Sequence, residues 1–245
     1  MREMEFTDET IAIWGAGKLG NLLVHKLSPY YRIVVHDADR SKTAKLEQTP
    51  NVAVYSAPQD MAEAKAVLIA LPKGEVLPCM KMLDGLLVKP ILLVNLSTAV
   101  MLEDLQSTHF LYARPASMKV IGEADNLLKE DIGHFIVNAQ SDADARYLAS
   151  IFGKIGKVTL TRDESLYRNV NLVAAEEIML AAGKICHRLK ESGLSKEIIQ
   201  SAILSVARGT LDQFPWSDRD YFHDLVFQKY QGLAEMIHEA SHETP

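Results

Sequence analysis

Short runs of apolar, often β-branched residues recur through the first two thirds of the chain. They fall at 11–14 (IAIW), 32–36 (RIVVH), 52–55 (VAVY), 67–71 (VLIAL), 91–96 (ILLVNL), 109–112 (HFLY) and 134–137 (HFIV). Several are apolar at every position rather than at alternate ones, as expected of parallel strands covered by helices on both faces. The intervals 18–27, 41–48, 59–65 and 75–87 carry helical or part-helical patterns. Strands alternating with helices predict an α/β domain with a doubly wound, mainly parallel sheet.

The texture changes after about residue 140. Ser141 is placed to cap a helix running to Phe152, and KVTLT at 157–161 is the last expected strand. From Asp163 onward the pattern is helical. Gly193 is expected to end one helix and Ser195 to cap the next, with a break at 214–218 where Ser217 or Asp218 caps the last. The expected division is a sheet domain over 1–161 and a smaller all-helical domain over 162–245. The first long helix is apolar on several sides, with Val170, Leu172, Val173, Ile178, Met179, Leu180 and Ile185. Such a helix is buried on most sides, either as the core of a homodimer or between the two domains of one chain.

A length of 245 residues allows one to two domains, and 48% apolar with 24% charged residues excludes a disordered or coiled-coil chain. The net charge of −6 and the absence of a long basic run argue against nucleic acid as a partner. The longest apolar runs, 66–72 and 91–94, are far short of the ~18 residues of a membrane span. The start, MREMEFTDET, has no apolar stretch of the kind a secretion signal needs. Two cysteines, Cys79 and Cys186, suit neither a zinc site nor a disulfide framework, and a cytoplasmic protein is expected. His238-Glu239-Ala240-Ser241-His242 matches H-E-x-x-H, but it has no downstream third ligand, so no metal site is expected.

The residues Gly15-Ala16-Gly17-Lys18-Leu19-Gly20 form a G-x-G-x-x-G string between an expected strand and an expected helix. Gly15 permits the tight turn, Gly17 lets a pyrophosphate approach the backbone, and Gly20 lets the helix pack on the strand. The helix start supplies N–H groups and partial positive charge to the phosphates. The next strand ends at Asp37, 17 residues after Gly20 (37 − 20), against about 20 for the ribose-binding acid of such sites. This is the fingerprint of a Rossmann-type dinucleotide-binding domain. Asp37 can accept both ribose hydroxyls and repels a 2′-phosphate, which favours NAD. Arg40 and Lys42 would hold that phosphate if the loop turned toward it, so NADP is the alternative. His36 is placed to line the adenine pocket.

Ligands of such sheets lie beyond the carboxyl ends of the strands. Ala70, Leu71 and Pro72 end one strand and are expected to border the cofactor. Lys73, Asn95 and Ser97 are candidates for contacts with substrate or with the nicotinamide carboxamide. Ordinary loop capping is the other reading of all three.

The GAGKLG loop, VLIALPK, VNLSTA and the helical tail together resemble the pyrroline-5-carboxylate reductase family, within a broader set that includes 6-phosphogluconate and 3-hydroxyisobutyrate dehydrogenases. The resemblance implies the same two-part fold, a nicotinamide cofactor and hydride transfer to or from a C=N or C=O carbon of a small acid. Pro115 matches the family's Met-Pro-Asn strand end, and Ala116 replaces its Asn. Ser165 to Asn171 stands where the reductases carry Gly-Ser-Gly-Pro-Ala-Tyr, and Gln213 to Asp218 lies near the place of their Pro-Gly-Gly-Thr-Thr loop. The hydroxyacid relatives carry a Lys with an Asn four residues later; here Tyr167 and Asn171 have that spacing. The lack of that Lys argues against a hydroxyacid dehydrogenase of that type, whereas a protonated imine is already electrophilic. Tyr167 is a conditional proton donor, since its ordinary pKa is about 10. Arg168 either holds a substrate carboxylate or forms a salt bridge within or between chains, and Arg114 has the same two readings. The competing class is a non-catalytic NAD(P)-binding sensor or regulatory dimer.

Overall fold

The structure, a computed structural model, describes residues 6–55, 57, 61, 63–122, 133–165, 170–214, 221–230, 232, 233 and 235. The chain divides into two compact units, Met1–Val173 and Ala174–Pro245.

The first unit is built on eight strands: β1 Thr10–Trp14, β2 Arg32–His36, β3 Val52–Val54, β4 Ala66–Ile69, β5 Ile91–Asn95, β6 Ala113–Ile121, β7 Gly133–Ala139 and β8 Gly156–Leu160. They form one sheet in the order β3-β2-β1-β4-β5-β6-β7-β8. The strands from β3 across to β6 are mutually parallel, β7 is antiparallel to β6, and β8 is parallel to β7. The chain runs outward from β1 through β2 to β3, then returns to place β4 on the other side of β1. That reversal opens a crevice at the carboxyl ends of β1 and β4, where sheets of this class bind ligands.

The continuous apolar runs bury both faces of the sheet. On one face Ile11, Ile13, Ile33, Val35, Leu68 and Val94 pack with α1 (Lys18–Leu27) and with the helix Asp142–Phe152. On the other, Ala12, Trp14, Val67, Ile69 and Leu93 pack with residues of the helices Lys73–Asp84 and Leu102–Gln106. In chain order these helices are α3 (Lys73–Asp84), α4 (Leu102–Gln106) and α5 (Asp142–Phe152), with the single turn Arg40–Thr43 as α2. The Ser141 hydroxyl accepts from the Asp144 N–H at 3.1 Å, as a cap should.

Three expectations need correction or restriction. The strand expected at 109–112 is absent; β6 begins at Ala113 and runs nine residues. The carboxylate of Asp84 accepts the N–H groups of Leu111 (2.7 Å), Tyr112 (2.7 Å) and Ala113 (2.5 Å), which holds this segment in a bend ahead of the ladder. Helix 41–48 is broken into α2 and a 3-10 turn, Leu46–Gln48. Residues 59, 60 and 62 of the expected helix 59–65, the caps Ser217 and Asp218, and the stretch 238–242 lie outside the described residues.

The helical part comprises α6 (Val170–Glu191), α7 (Lys196–Ser201), a π-helical segment (Ala202–Ala207), α8 (Arg208–Asp212) and α9 (Tyr221–Lys229). Gly193 takes φ +75°, the left-handed conformation that ends α6, and the Ser195 hydroxyl accepts from the Ile198 N–H at 3.5 Å. None of the described residues from Val170 to Asp212 is buried; Met179 is 74% exposed and Leu172 63%. Among the described residues no helix is long and apolar enough to cross a membrane.

The Asp84 clasp is testable. Partial burial pushes its carboxyl up, but three backbone donors, with His109 nearby, outweigh this and hold it below the usual range. Its stabilisation is therefore full above the unfolded pKa of about 3.9 and is lost as pH falls through the lower folded value. Asp84→Asn should cost about 1–2 kcal/mol at pH 7 in urea unfolding, and the gap from wild type should close toward pH 2–3. A gap that persists unchanged at low pH would contradict the assignment.

Candidate functional site

β1 ends at Trp14 and the chain turns immediately. Gly15 takes φ +102°, and its N–H donates to the His36 carbonyl at 2.7 Å. A Cβ at Gly15 would stand 2.4 Å from the Ala70 carbonyl oxygen, and one at Gly20 would stand 1.8 Å from the Gly15 carbonyl oxygen. Those two glycines are thus required by the protein's own packing. Gly17 is different: a Cβ there would meet nothing within 4 Å. It is exposed, it is the N-cap of α1, no side chain caps that end, and the first turn holds no acid. Lys18 and Leu19 are the first two residues of the helix. The loop therefore presents backbone and a helix start to open space, the cradle a diphosphate needs.

Beside it lies a cleft of about 510 Å³, bordered by Trp14, Gly17, Asp37, Ala70, Leu71 and Pro72 among others. A second hollow of about 290 Å³ shares Asp37 with it and adds His36, Arg40 and Tyr55. The His36 ring lies 4.3 Å from that of Trp14, and its Nδ1 is 3.1 Å from the Tyr55 carbonyl oxygen.

Asp37 joins these parts. One carboxylate oxygen accepts the Ala16 N–H at 2.7 Å, the other accepts the Asp39 N–H at 2.8 Å, and Lys42 Nζ stands 3.7 Å away. Each carboxylate oxygen has a second acceptor site, so a ribose hydroxyl can still be received. Asp39 adds a second carboxylate, capping α2 through Ser41. Arg40 is exposed at the start of that helix.

At the end of β5 one polar side chain faces inward. Asn95 is fully buried; its amide nitrogen donates to the Val100 carbonyl at 2.7 Å and its oxygen accepts the Ser97 N–H at 2.9 Å. Its amide therefore shapes the loop. Ser97 is half-buried, and Lys73 is exposed as the first residue of α3. Asn171 donates to the Val120 carbonyl and accepts the Gly122 N–H, both at 2.9 Å, so it clasps the end of β6. Arg114 pairs with Asp144 at 2.5 Å. Tyr167 and Arg168 lie outside the described residues.

No family model matches the sequence, and no curated protein matches it. Solved structures do. A pyrroline-5-carboxylate reductase of Coxiella burnetii superposes with a TM-score of 0.67 at 18% identity, over 96% of this chain and 90% of that one. A Plasmodium falciparum pyrroline carboxylate reductase with NADP bound gives 0.59 at 14%, over 91% and 84%. The chain shares the reductase fold. A Myxococcus stipitatus imine reductase variant in complex with NAD+ gives 0.61 at 15%, over 96% and 94%. At these identities the likeness establishes the fold, a Rossmann-type sheet followed by a helical region.

Within that fold, sequence reasoning missed a buried cluster next to Asn95. Lys119, 5% exposed, donates to the carbonyls of Ser97 (2.6 Å) and Val100 (2.5 Å). Glu164, 6% exposed, accepts the Leu102 N–H at 3.0 Å. Among the described residues, its other oxygen and the buried Ser117 hydroxyl have no hydrogen-bond partner. Burial draws the Lys119 ammonium down to about 8, although Glu164 and Asp104 favour its charge. The available signal was a lysine inside the apolar stretch SMKVI.

The glycine geometry predicts a split result. Gly20→Ala should destabilise the protein by several kcal/mol, on the order of 3, since backbone must move to admit the methyl. Gly17→Ala should leave the melting temperature within a few degrees. Equal effects in thermal unfolding would refute the distinction.

Proposed function

We propose that the chain is an NAD(P)-dependent oxidoreductase that passes hydride between the nicotinamide and a C=N or C=O carbon of a small acid. The observation that carries this reading is the Gly15–Gly20 loop, packed on backbone at Gly15 (against Ala70) and Gly20 (against Gly15) but open at Gly17, with Asp37 beside the cleft. Two solved structures that this chain resembles, a reductase with NADP bound and an imine reductase in complex with NAD+, support the same cofactor class.

Gly17, Lys18 and Leu19 would hold the diphosphate, Asp37 the ribose of the adenosine half, and Ala70, Leu71 and Pro72 would border the remainder of the dinucleotide. Asp37 and Asp39 put two carboxylates together at the end of β2, and a 2′-phosphate bound beside them would add two more negative charges, so NAD is the preferred form. Arg40 and Lys42 are the groups through which NADP would still bind. When bound, the nicotinamide supplies or takes the hydride. Lys73 and Ser97 are assigned to the reacting end, and Tyr167 and Arg168 to the substrate. Asn95 and Asn171 act by shaping backbone, through the bonds already described. For an imine substrate that arrives protonated, the C=N electron pair returns to nitrogen and the protein need supply no further proton.

The partner proposed for the helical part is a second copy of this chain. Helices α6 to α8 have no buried residue among those described, yet carry Leu172, Val173, Ile178, Met179 and Leu180 on α6 alone. A reducing, cytoplasmic setting suits the two free cysteines, Cys79 and Cys186.

One observation favours the second reading, a dinucleotide-binding sensor without turnover. The polar groups of Asn95 and Asn171 are engaged by backbone, which leaves fewer side chains for substrate.

Titration with NADH and NADPH, with and without pyrroline-5-carboxylate, tests the proposal. NADH should bind at least about tenfold more tightly than NADPH, equivalent to ~1.4 kcal/mol, and should be oxidised when the imine is present. Gly17→Asp should abolish binding while keeping or raising the melting temperature, because Asp is a good N-cap. Binding by that variant would refute the assigned cradle. Binding without turnover on any imino or keto acid would leave the sensor. Light scattering should give about 54 kDa, twice the 27.2 kDa of one chain; a monomer would refute the homodimer.

A further inference from the structure

We infer that Lys119 is a positioning residue for the nicotinamide end of this site, and that its charged head fastens the loop after β5 only while it keeps its proton. The inference rests on the dinucleotide-binding reading above.

The geometry begins with register. Asn95, the last residue of β5, pairs with Ser117 of β6, and β6 continues past it. Lys119 is two residues further on, so it shares the face of Ser117 and lies beyond the end of β5. That is the carboxyl edge of the parallel sheet, the edge where ligands bind. Its ammonium grips the loop at Ser97 and Val100, and Val100 is also held by Asn95. The loop is tied in turn to the cleft: the Leu96 N–H donates to the Ile69 carbonyl at 3.1 Å, and Ala70, the next residue after Ile69, lines the cleft. A continuous chain of backbone contacts therefore runs from Lys119 to the cofactor wall.

Burying an ammonium is costly unless it is paired and hydrogen-bonded. A neutral Leu or Met would pack at this position without that cost. Among the described residues, the charged groups facing Lys119 are Asp104 from α4 and Glu164 from the segment after β8. From β7 the residue opposite is Ile136, and from β5 the neighbour is the uncharged Asn95. Neither carboxylate is within salt-bridge distance of the ammonium among the described residues, so the two loop carbonyls carry the direct bonds.

Burial pulls the ammonium down to about 8, from an ordinary 10.4. The folded state loses this proton first, so the protein's stability should rise with pH between the two values. Loop fastening should move the opposite way. The neutral amine donates more weakly, and Asp104 and Glu164 lose the charge that favours them.

The test reads binding and protonation, not turnover. NADH affinity, followed by nicotinamide fluorescence, should fall about tenfold between pH 7 and pH 9.5 in wild type, within the usual range of coupling between sites. Lys119→Met should bind at the weak level throughout, with no such slope. In protein labelled with 13C at the lysine ε-carbon, one resonance, missing from Lys119→Met, should titrate near 8. By reciprocal linkage NADH should raise its midpoint by about one unit, the counterpart of the tenfold change. If Lys119→Met fails to fold, the wild-type resonance and the wild-type affinity slope decide alone. Equal affinity and equal pH slope in the two proteins would overturn the inference, as would a lysine midpoint that NADH leaves unmoved. Both results leave dinucleotide binding standing. Absence of any NADH or NADPH binding at pH 7 would sink the dinucleotide reading itself and this inference with it.

Discussion

The approach of α1 to β1 at Gly15 and Gly20 governs the rest of the first unit. With a Cβ of Gly20 at 1.8 Å from the Gly15 carbonyl oxygen, only a glycine pair lets the helix start directly against the strand it follows. The same turn brings Gly15 against the Ala70 carbonyl, so the end of β4 is set by it as well. The Ala16 N–H reaches the Asp37 carboxylate, which ties the end of β2 to the loop. One tight turn therefore fixes three strand ends around a single crevice. Gly17, free of packing demands, is left facing it. A glycine kept where the protein itself has no steric need for one points to something approaching from outside.

The second constraint is electrical. At the ends of β5 and β6 the protein buries Lys119, Glu164, Asn95 and Ser117 together. Asn95 is satisfied by two backbone bonds, as buried amides normally are. Lys119 and Glu164 are less comfortable: one is pulled toward neutrality by burial, and the other keeps an oxygen with no partner among the described residues. Polar groups left in that state usually mark a functional or strained place. Here they surround the loop that is bonded through Leu96 to Ile69, next to the cleft residue Ala70, rather than the opposite end of the sheet. At that opposite end, Tyr147 meets Glu9 at 3.3 Å and the tyrosine simply stays protonated.

What could be read from the chain alone follows from which forces act locally. The continuous apolar runs of β1, β2, β4 and β5 signal two-sided burial without any tertiary knowledge, and the glycine string signals its own turn. The caps at Ser141 and Ser195 are likewise decided within four residues. β6 was not legible, because Arg114, Pro115, Ser117 and Lys119 interrupt its apolar pattern. It is a strand because neighbours make it one: β5 pairs with it from Ala113, and β7 joins only from Ala116. Pro115 thus sits where that side of the strand is unpaired, the place a proline can occupy. The segment before it, 109–112, has enough apolar character for a strand, but Asp84, some 25 residues earlier (109 − 84), claims its N–H groups. A contact of that separation leaves no mark on local periodicity. The same holds for Lys119 and Glu164, which become neighbours only through the sheet.

The helical unit shows the opposite balance. Its local signals are strong, with clear caps and a helix of 22 residues, yet α6 to α8 bury no residue among those described. Each apolar side chain hidden from water is worth about 1.5–3 kcal/mol, and isolated helices gain little from propensity alone. Side chains such as Met179, Leu204 and Val206, each more than three fifths exposed, forgo that gain in the lone chain. An apolar surface of this extent on helices with well-formed ends calls for cover from a second surface of similar character. A second copy of the same chain offers one without requiring any other gene product, because an isologous contact pairs each apolar patch with its own equivalent. If a second copy covers that surface, as proposed, the stability of the helical unit will depend on protein concentration.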